Sequence, residues 1–192
     1  MKNKIVLASN NKDKLKEIRE MLTDFEVISC KEAGFVGDIE EDGNSFYENA
    51  LIKAKTVSKA LNLPALADDS GICVTALNGE PGIYSARYAG DGIDEHNNAL
   101  LLQNLKDKND RSAKYVCCMV YYNVDGSISW AEGETHGYIL ESPVGTNGFG
   151  YDPLFFSSDL NKPMGLASAD EKNSISHRFR ALEKIKDKIK WF

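Results

Sequence analysis

Two adjacent carboxylates, Asp68 and Asp69, close the short apolar run over residues 63–67 and are followed by Ser70 and Gly71. The run reads as a buried strand that delivers acids to a sheet edge, a place where metal-assisted chemistry on a ligand often sits. Neighbouring carboxylates repel unless a cation or a basic side chain offsets them, so the doublet suggests a bound divalent ion. A solvated turn made of the same Asp, Ser and Gly is the alternative. Three other groups of residues could take part. Ser9-Asn10-Asn11-Lys12-Asp13, with Lys14 after it, joins an apolar run to a helical pattern. A helix start there can hold phosphate through backbone N–H groups and lysines, or can be a plain Asn or Ser cap with solvated lysines. Lys53 falls on or near the buried stripe of a helix, where an unpaired cation is out of place; its stem snorkels to solvent or it faces a cleft. Ser176-His177-Arg178 opens on a helix start, so its cation needs acceptor groups to offset the positive dipole end. His96 and His136 read as structural.

Residues 4–8 are expected to form a strand and residues 14–22 an amphipathic helix with Leu15, Ile18 and Leu22 on one face. Residues 25–29 are β-like and lead to the acidic segment over 38–43. Ser45-Phe46-Tyr47-Glu48 fits a capping box, and Phe46, Ala50, Ala54, Val57 and Leu61 recur at helical spacing. Residues 78–82 are a turn. Asp94 is placed to cap a helix ending at Leu105, with Ala99, Leu102 and Leu105 inward. Residues 113–122 and 128–140 are strands joined by a hairpin turn at 123–126. The loop over 145–153 holds three glycines around Phe149 and Tyr151, as suits a hinge that carries exposed rings or a glycine-rich hairpin whose aromatics are core. A last helix is expected over 174–189, with Ile175, Leu182, Ile185 and Ile189 along one stripe.

The 192 residues, 42% hydrophobic and 27% charged, suit one compact α/β unit, and no apolar run reaches the roughly 20 residues of a bilayer span. The apolar part of the N-terminus is too short for a secretory signal. Of four cysteines, Cys30 and Cys73 are isolated and Cys117 and Cys118 are neighbours in a β-like run, which fits reduced thiols in a cytoplasmic protein. A net charge of −6 argues against a broad nucleic-acid surface and leaves room for one phosphate-bearing small molecule held by local lysines.

Taken in order, five blocks resemble the inosine and xanthosine triphosphate pyrophosphatases. They are residues 9–14; residues 41–50 with Lys53-Ala54; residues 67–71; Pro81-Gly82-Ile83-Tyr84-Ser85-Ala86-Arg87-Tyr88; and residues 148–155 with Ser176-His177-Arg178 and Ala181-Leu182. One departure is Asn10, where many members carry glycine. The resemblance implies a mixed, curved central sheet with flanking helices, two lobes around an active-site cleft, and a single domain over residues 1–192. It also implies Mg²⁺ dependence and a homodimer without nucleic-acid or membrane partners. The implied reaction is hydrolysis of ITP, dITP or XTP to the monophosphate and pyrophosphate, which keeps deaminated purines out of DNA and RNA.

Carried onto this chain, the resemblance implies Asp69 as general base and metal ligand, with Glu41 and Asp68 completing the metal set. Substrate contacts are implied at Ser9, Asn10, Asn11, Lys12, Asp13, Lys14, Lys53 and Ser70, and at Phe149, Gly150, Tyr151, Asp152, Lys172, His177 and Arg178. Phe149 would stack on the base, and donors from Lys172, His177 or Arg178 would meet its 6-keto oxygen. Rivals are a pyrophosphatase for modified pyrimidine or methylated nucleotides, a phosphatase forming an aspartyl-phosphate, and a non-catalytic nucleotide-binding module.

Overall fold

The computed structural model describes residues 3–189, with Asn3 described by its backbone alone. Apolar strands and amphipathic helices alternate through the first half of the chain: β1 (Asn3–Leu7), α1 (Lys12–Met21), β2 (Phe25–Ser29), α2 (Phe46–Leu61), β3 (Ala65–Val74) and α3 (Asp94–Asn104). The second half is richer in strand: β4 (Ser112–Tyr122), β5 (Ile128–Ile139), β6 (Phe155–Ser157) and β7 (Lys162–Pro163) precede α4 (Ala169–Ile175) and α5 (His177–Lys186). The seven strands lie in the order β2-β1-β3-β4-β5-β6-β7. β1 pairs in parallel with β2 (Ile5 opposite Val27) and with β3 (Val6 opposite Ala65), whereas β5–β6 and β6–β7 are antiparallel. The sheet is therefore mixed, as expected.

Contacts divide the chain into two compact units, each assembled from separated stretches. The first comprises Met1–Asp69, Cys118–Glu132 and Ala181–Phe192; the second comprises Ser70–Cys117 and Gly133–Arg180. In the first unit, Ala50, Ala54 and Val57 of α2 pack with Val6, Ala8, Ala65, Ala67 and Val120. That is the stripe expected from the helical spacing, and full burial of a side chain such as Val57 contributes about 1.5–3 kcal/mol. In the second unit, Ile72, Leu101, Leu105, Tyr115, Tyr151, Leu154 and Phe155 share one core. Among the described residues no helix is long and apolar enough to cross a membrane.

Five local expectations are corrected. Asp68 and Asp69 do not end a strand: β3 continues to Val74. Gly71 permits this, because a Cβ there would lie 2.2 Å from the Gly82 carbonyl oxygen and 2.5 Å from Ser85 Oγ. On α3 the buried residues are Asn97 and Leu101, followed by Leu105, and Ala99 is exposed. Asn97 is admitted because its side chain accepts from the Ala89 N–H and donates to the Ala86 carbonyl, which satisfies a buried amide. Asp94 does not cap α3; it accepts the Gly150 N–H at 2.8 Å. Half of the capping box at α2 holds, since Ser45 Oγ accepts the Glu48 N–H, but Glu48 turns back to the Asn44 N–H instead of that of Ser45. The single last helix is two: Ser176 is extended, ends α4, and accepts the Phe179 N–H to start α5.

None of Cys30, Cys73, Cys117 and Cys118 forms a disulfide, and Cys117 and Cys118 are fully buried. Burial, with Glu132, Asp69 and Asp68 adding, pushes the Cys118 thiol up to about 12. Only about 10⁻⁴ of such a thiol is thiolate at pH 8. Ellman's reagent at that pH is therefore expected to leave Cys118 unlabelled in the native protein while titrating all four thiols after unfolding in guanidinium. Peptide mapping reads the difference, and prompt native labelling of Cys118 would contradict the packing.

Candidate active site

The first unit gathers charges around β3. Consecutive residues on an extended strand point to opposite faces, and the two aspartates accordingly have different partners. Asp68, buried, pairs with Lys14 of α1 at 3.1 Å. Asp69, also buried, pairs with Lys53 of α2 at 3.4 Å, and the same ammonium donates to Glu41 Oε2 at 2.8 Å. Lys53 therefore does not snorkel; only 8% of it is exposed. Burial draws its pKa down, but Asp69, Asp68 and Glu41 outweigh that and hold it above the usual lysine range. Burial lifts the Asp69 carboxyl above the usual carboxylate range, more than the Lys53 and Lys14 ammoniums pull it down.

Asn49 completes this cluster. It lies one turn before Lys53 on the same face of α2, is 1% exposed, and donates through Nδ2 to Asp69 Oδ2 at 3.2 Å. Its Oδ1 accepts the Gly43 N–H at 2.9 Å, which ties the acidic segment that carries Glu41 to the helix. The cluster's one neutral, buried amide was legible only as the residue four before Lys53.

The polar segment between β1 and α1 behaves first as a cap. Asn11 Oδ1 accepts the Asp13 and Lys14 N–H groups at 2.9 and 3.1 Å, so two of the N–H groups expected to meet phosphate are occupied. Ser9 Oγ accepts the Asn11 N–H, and Asn10 Oδ1 accepts from Cys30 Sγ at 3.2 Å. Lys12 and Asp13 are exposed in the first turn. Only Lys14 of this segment is brought to the acids.

Among the described residues no three His, Cys, Asp or Glu side chains gather as a cation cage. The expected set of Glu41, Asp68 and Asp69 is divided between two lysines. The donor chemistry nevertheless suits a hard divalent ion, since all three are carboxylates, and Glu41 and Asp69 already converge on one positive charge.

The second unit gathers the remaining candidates around Asp152. Its Oδ2 accepts from Lys172 Nζ at 2.6 Å and from the Phe149 N–H at 3.0 Å, while its Oδ1 accepts from Tyr115 Oη at 3.2 Å. Gly148 makes the close turn possible, because a Cβ there would meet Asp152 Oδ2 at 2.0 Å and its φ is +76°. Lys172 Nζ lies 4.3 Å from the centroid of the Phe149 ring. His177 stacks on Tyr115, with centroids 4.7 Å apart and planes 9° from parallel. Arg178, 1% exposed, donates to Ser70 Oγ at 3.1 Å, which supplies the acceptor that a cation at a helix start requires.

The loop over 145–153 is not a pair of exposed rings. Phe149 is half-buried, and Tyr151 is core, its hydroxyl donating to the Ser85 carbonyl at 2.8 Å. Gly150 is held at both ends, donating to Asp94 and accepting from Asn98. Thus Asp152, Lys172, Phe149 and His177 come together, Arg178 joins Ser70, and Tyr151 and Gly150 brace the loop. Sequence reasoning missed Tyr115, whose only signal was an aromatic within a nearly continuous apolar strand.

A model of the Ham1 family matches residues 5–188. The chain is 49% identical to a dITP/XTP pyrophosphatase of Clostridium perfringens over 97% of each chain. It is 45% identical to a dITP/XTP pyrophosphatase of Geobacter sulfurreducens, with 98% of this chain and 97% of that one covered. The solved structure of the Staphylococcus aureus Ham1 protein shares 43% identity over 96% of each chain, with a TM-score of 0.87. The matched span includes the residues of both charged clusters, and the chain belongs to the Ham1 family.

Proposed function

We propose that residues 1–192 form one nucleoside triphosphate pyrophosphatase domain that hydrolyses dITP, ITP and XTP to the monophosphate and pyrophosphate with Mg²⁺. The observation that carries this reading is the convergence of buried Asp69 and Glu41 on one cationic point beside a second acid–lysine pair, Asp68 with Lys14. Phosphoryl transfer needs charge neutralisation and a positioned water more than covalent help from the protein. Asp69 takes the proton of a water that adds to the α-phosphorus. The bond from that phosphorus to the α–β bridging oxygen breaks, and the pyrophosphate leaves with the electron pair. Glu41 and Asp69, supported by Asp68, would hold Mg²⁺, which when bound neutralises phosphate charge. Lys14 and Lys53, with Ser9 and Asn11, hold the triphosphate.

Base recognition falls to the second unit. Phe149 offers a stacking face, and Lys172, His177 or Arg178 supplies donors for a 6-keto oxygen; adenine presents an amino donor there instead. A homodimer and a cytoplasmic location belong to the same proposal.

Turnover of dITP, ITP, XTP, GTP and ATP with Mg²⁺, with pyrophosphate and orthophosphate assayed separately, tests it. The expected result is pyrophosphate from the first three and little product from GTP or ATP. Orthophosphate as the primary product, or equal turnover of all five, would overturn it.

A further inference from the structure

Tyr115 on β4 is assigned no part in the proposed reaction, yet it touches both halves of the proposed base-reading group. Its hydroxyl donates to Asp152 Oδ1, and its ring lies flat against His177 and tilted against Phe155. It is 7% exposed, and burial followed by the charge of Asp152 pushes its pKa well above the usual phenol range, so the hydroxyl remains a donor. Asp152 spends its other oxygen on Lys172 and on the Phe149 N–H. Both carboxylate oxygens are thus engaged, and Asp152 serves as the junction through which β4, the loop over 145–153 and α4 are held in one arrangement.

We infer that Tyr115 is a specificity-determining positioning residue: its hydroxyl sets Asp152, and through it Lys172 and Phe149, while its ring sets the plane of His177. The inference rests on the proposal that these residues read the purine base. A buried carboxylate with one oxygen unclaimed is free to rotate, and the two donors on its other oxygen move with it. Removal of the hydroxyl therefore disturbs three base-facing groups that are separate in sequence and leaves the Lys14, Lys53 and Asp69 cluster of the first unit untouched. Nucleotide binding and selectivity should change more than the chemical step.

Tyr115→Phe keeps the ring stack and deletes only the hydroxyl. Its expected effect is a rise of about tenfold in KM for dITP with kcat changed less than about twofold, the size of one lost orienting bond to a charged group. Discrimination between dITP and GTP should fall by a similar factor. A double variant with Asp152→Asn should be no worse than Asp152→Asn alone, because the hydroxyl acts through that carboxylate. In the unaltered protein, NMR signals of the Tyr115 and His177 rings should shift together when dITP is added with Ca²⁺ in place of Mg²⁺, a reading that does not depend on any variant folding. A purely structural role would lower the folded fraction, and with it kcat for every nucleotide, leaving KM and selectivity unmoved. Unchanged KM and selectivity in Tyr115→Phe, or ring signals indifferent to nucleotide, would overturn the inference. Absence of dITP turnover in the parent protein would instead defeat the functional reading beneath it.

Discussion

Asp69→Asn is expected to lower kcat for dITP by about 10²- to 10⁴-fold, the range a positioned general base supplies, and to leave the protein folded. The substitution is nearly isosteric and keeps one oxygen, which can still accept from Lys53, while the position facing Asn49 Nδ2 becomes a donor and loses that bond. The sign of the stability effect follows from the raised carboxyl. A group whose folded pKa lies above its unfolded value contributes stability that is full below the unfolded pKa and is lost as pH rises through the folded one. Folding therefore disfavours the ionised form of Asp69, and a neutral amide removes no net support that burial had not already cancelled. The melting temperature in EDTA should stay within about 4 °C of the parent's, equivalent to about 1–2 kcal/mol for a chain of this length. Pyrophosphate release at saturating Mg²⁺ and a circular-dichroism melt check the two halves. A variant that turns over within about threefold of the parent would remove Asp69 from the proton transfer.

How far the sequence foretold this arrangement depends on the kind of interaction. β2 was legible to the residue, and the α2 stripe of Ala50, Ala54 and Val57 was legible because a strong helical period faces one apolar neighbour. Asp68, Asp69 and Lys53 stood out because charge is costly where the pattern demands burial. What was not legible has tertiary causes. Ser70 and Gly71 look like a turn, and only the close approach of the Gly82 carbonyl explains why the strand continues through them. Asn97 looks like a surface residue until the Ala89 and Ala86 backbone groups that satisfy it are known. The two units are interleaved along the chain, so no change of composition marks where one ends. The break at Ser176 carries neither glycine nor proline, although the true capping box of α4, Ser168 with Glu171, was present in the sequence and went unread.

Lys53→Met should have the second large effect, and it separates the lysine's two duties. Methionine retains most of the buried stem but removes the charge on which Glu41 and Asp69 converge. Removing one partner from a buried ionic cluster typically costs about 3–5 kcal/mol, because the remaining charges are left uncompensated. For a chain of this size that is a fall of roughly 6–20 °C in the metal-free melting temperature. Divalent cation should then recover more stability in the variant than in the parent, since two carboxylates lie free around a point no longer held by an ammonium. Activity should remain down by about 10²-fold or more even with Mg²⁺ saturating, because the triphosphate loses a fixed positive contact that the ion does not replace. Melts of both proteins across a Mg²⁺ titration, run beside pyrophosphate release, read these separately. Equal Mg²⁺ stabilisation of parent and variant would mean that the ion and the lysine answer to different carboxylates, and the metal would have to be sought away from Glu41 and Asp69.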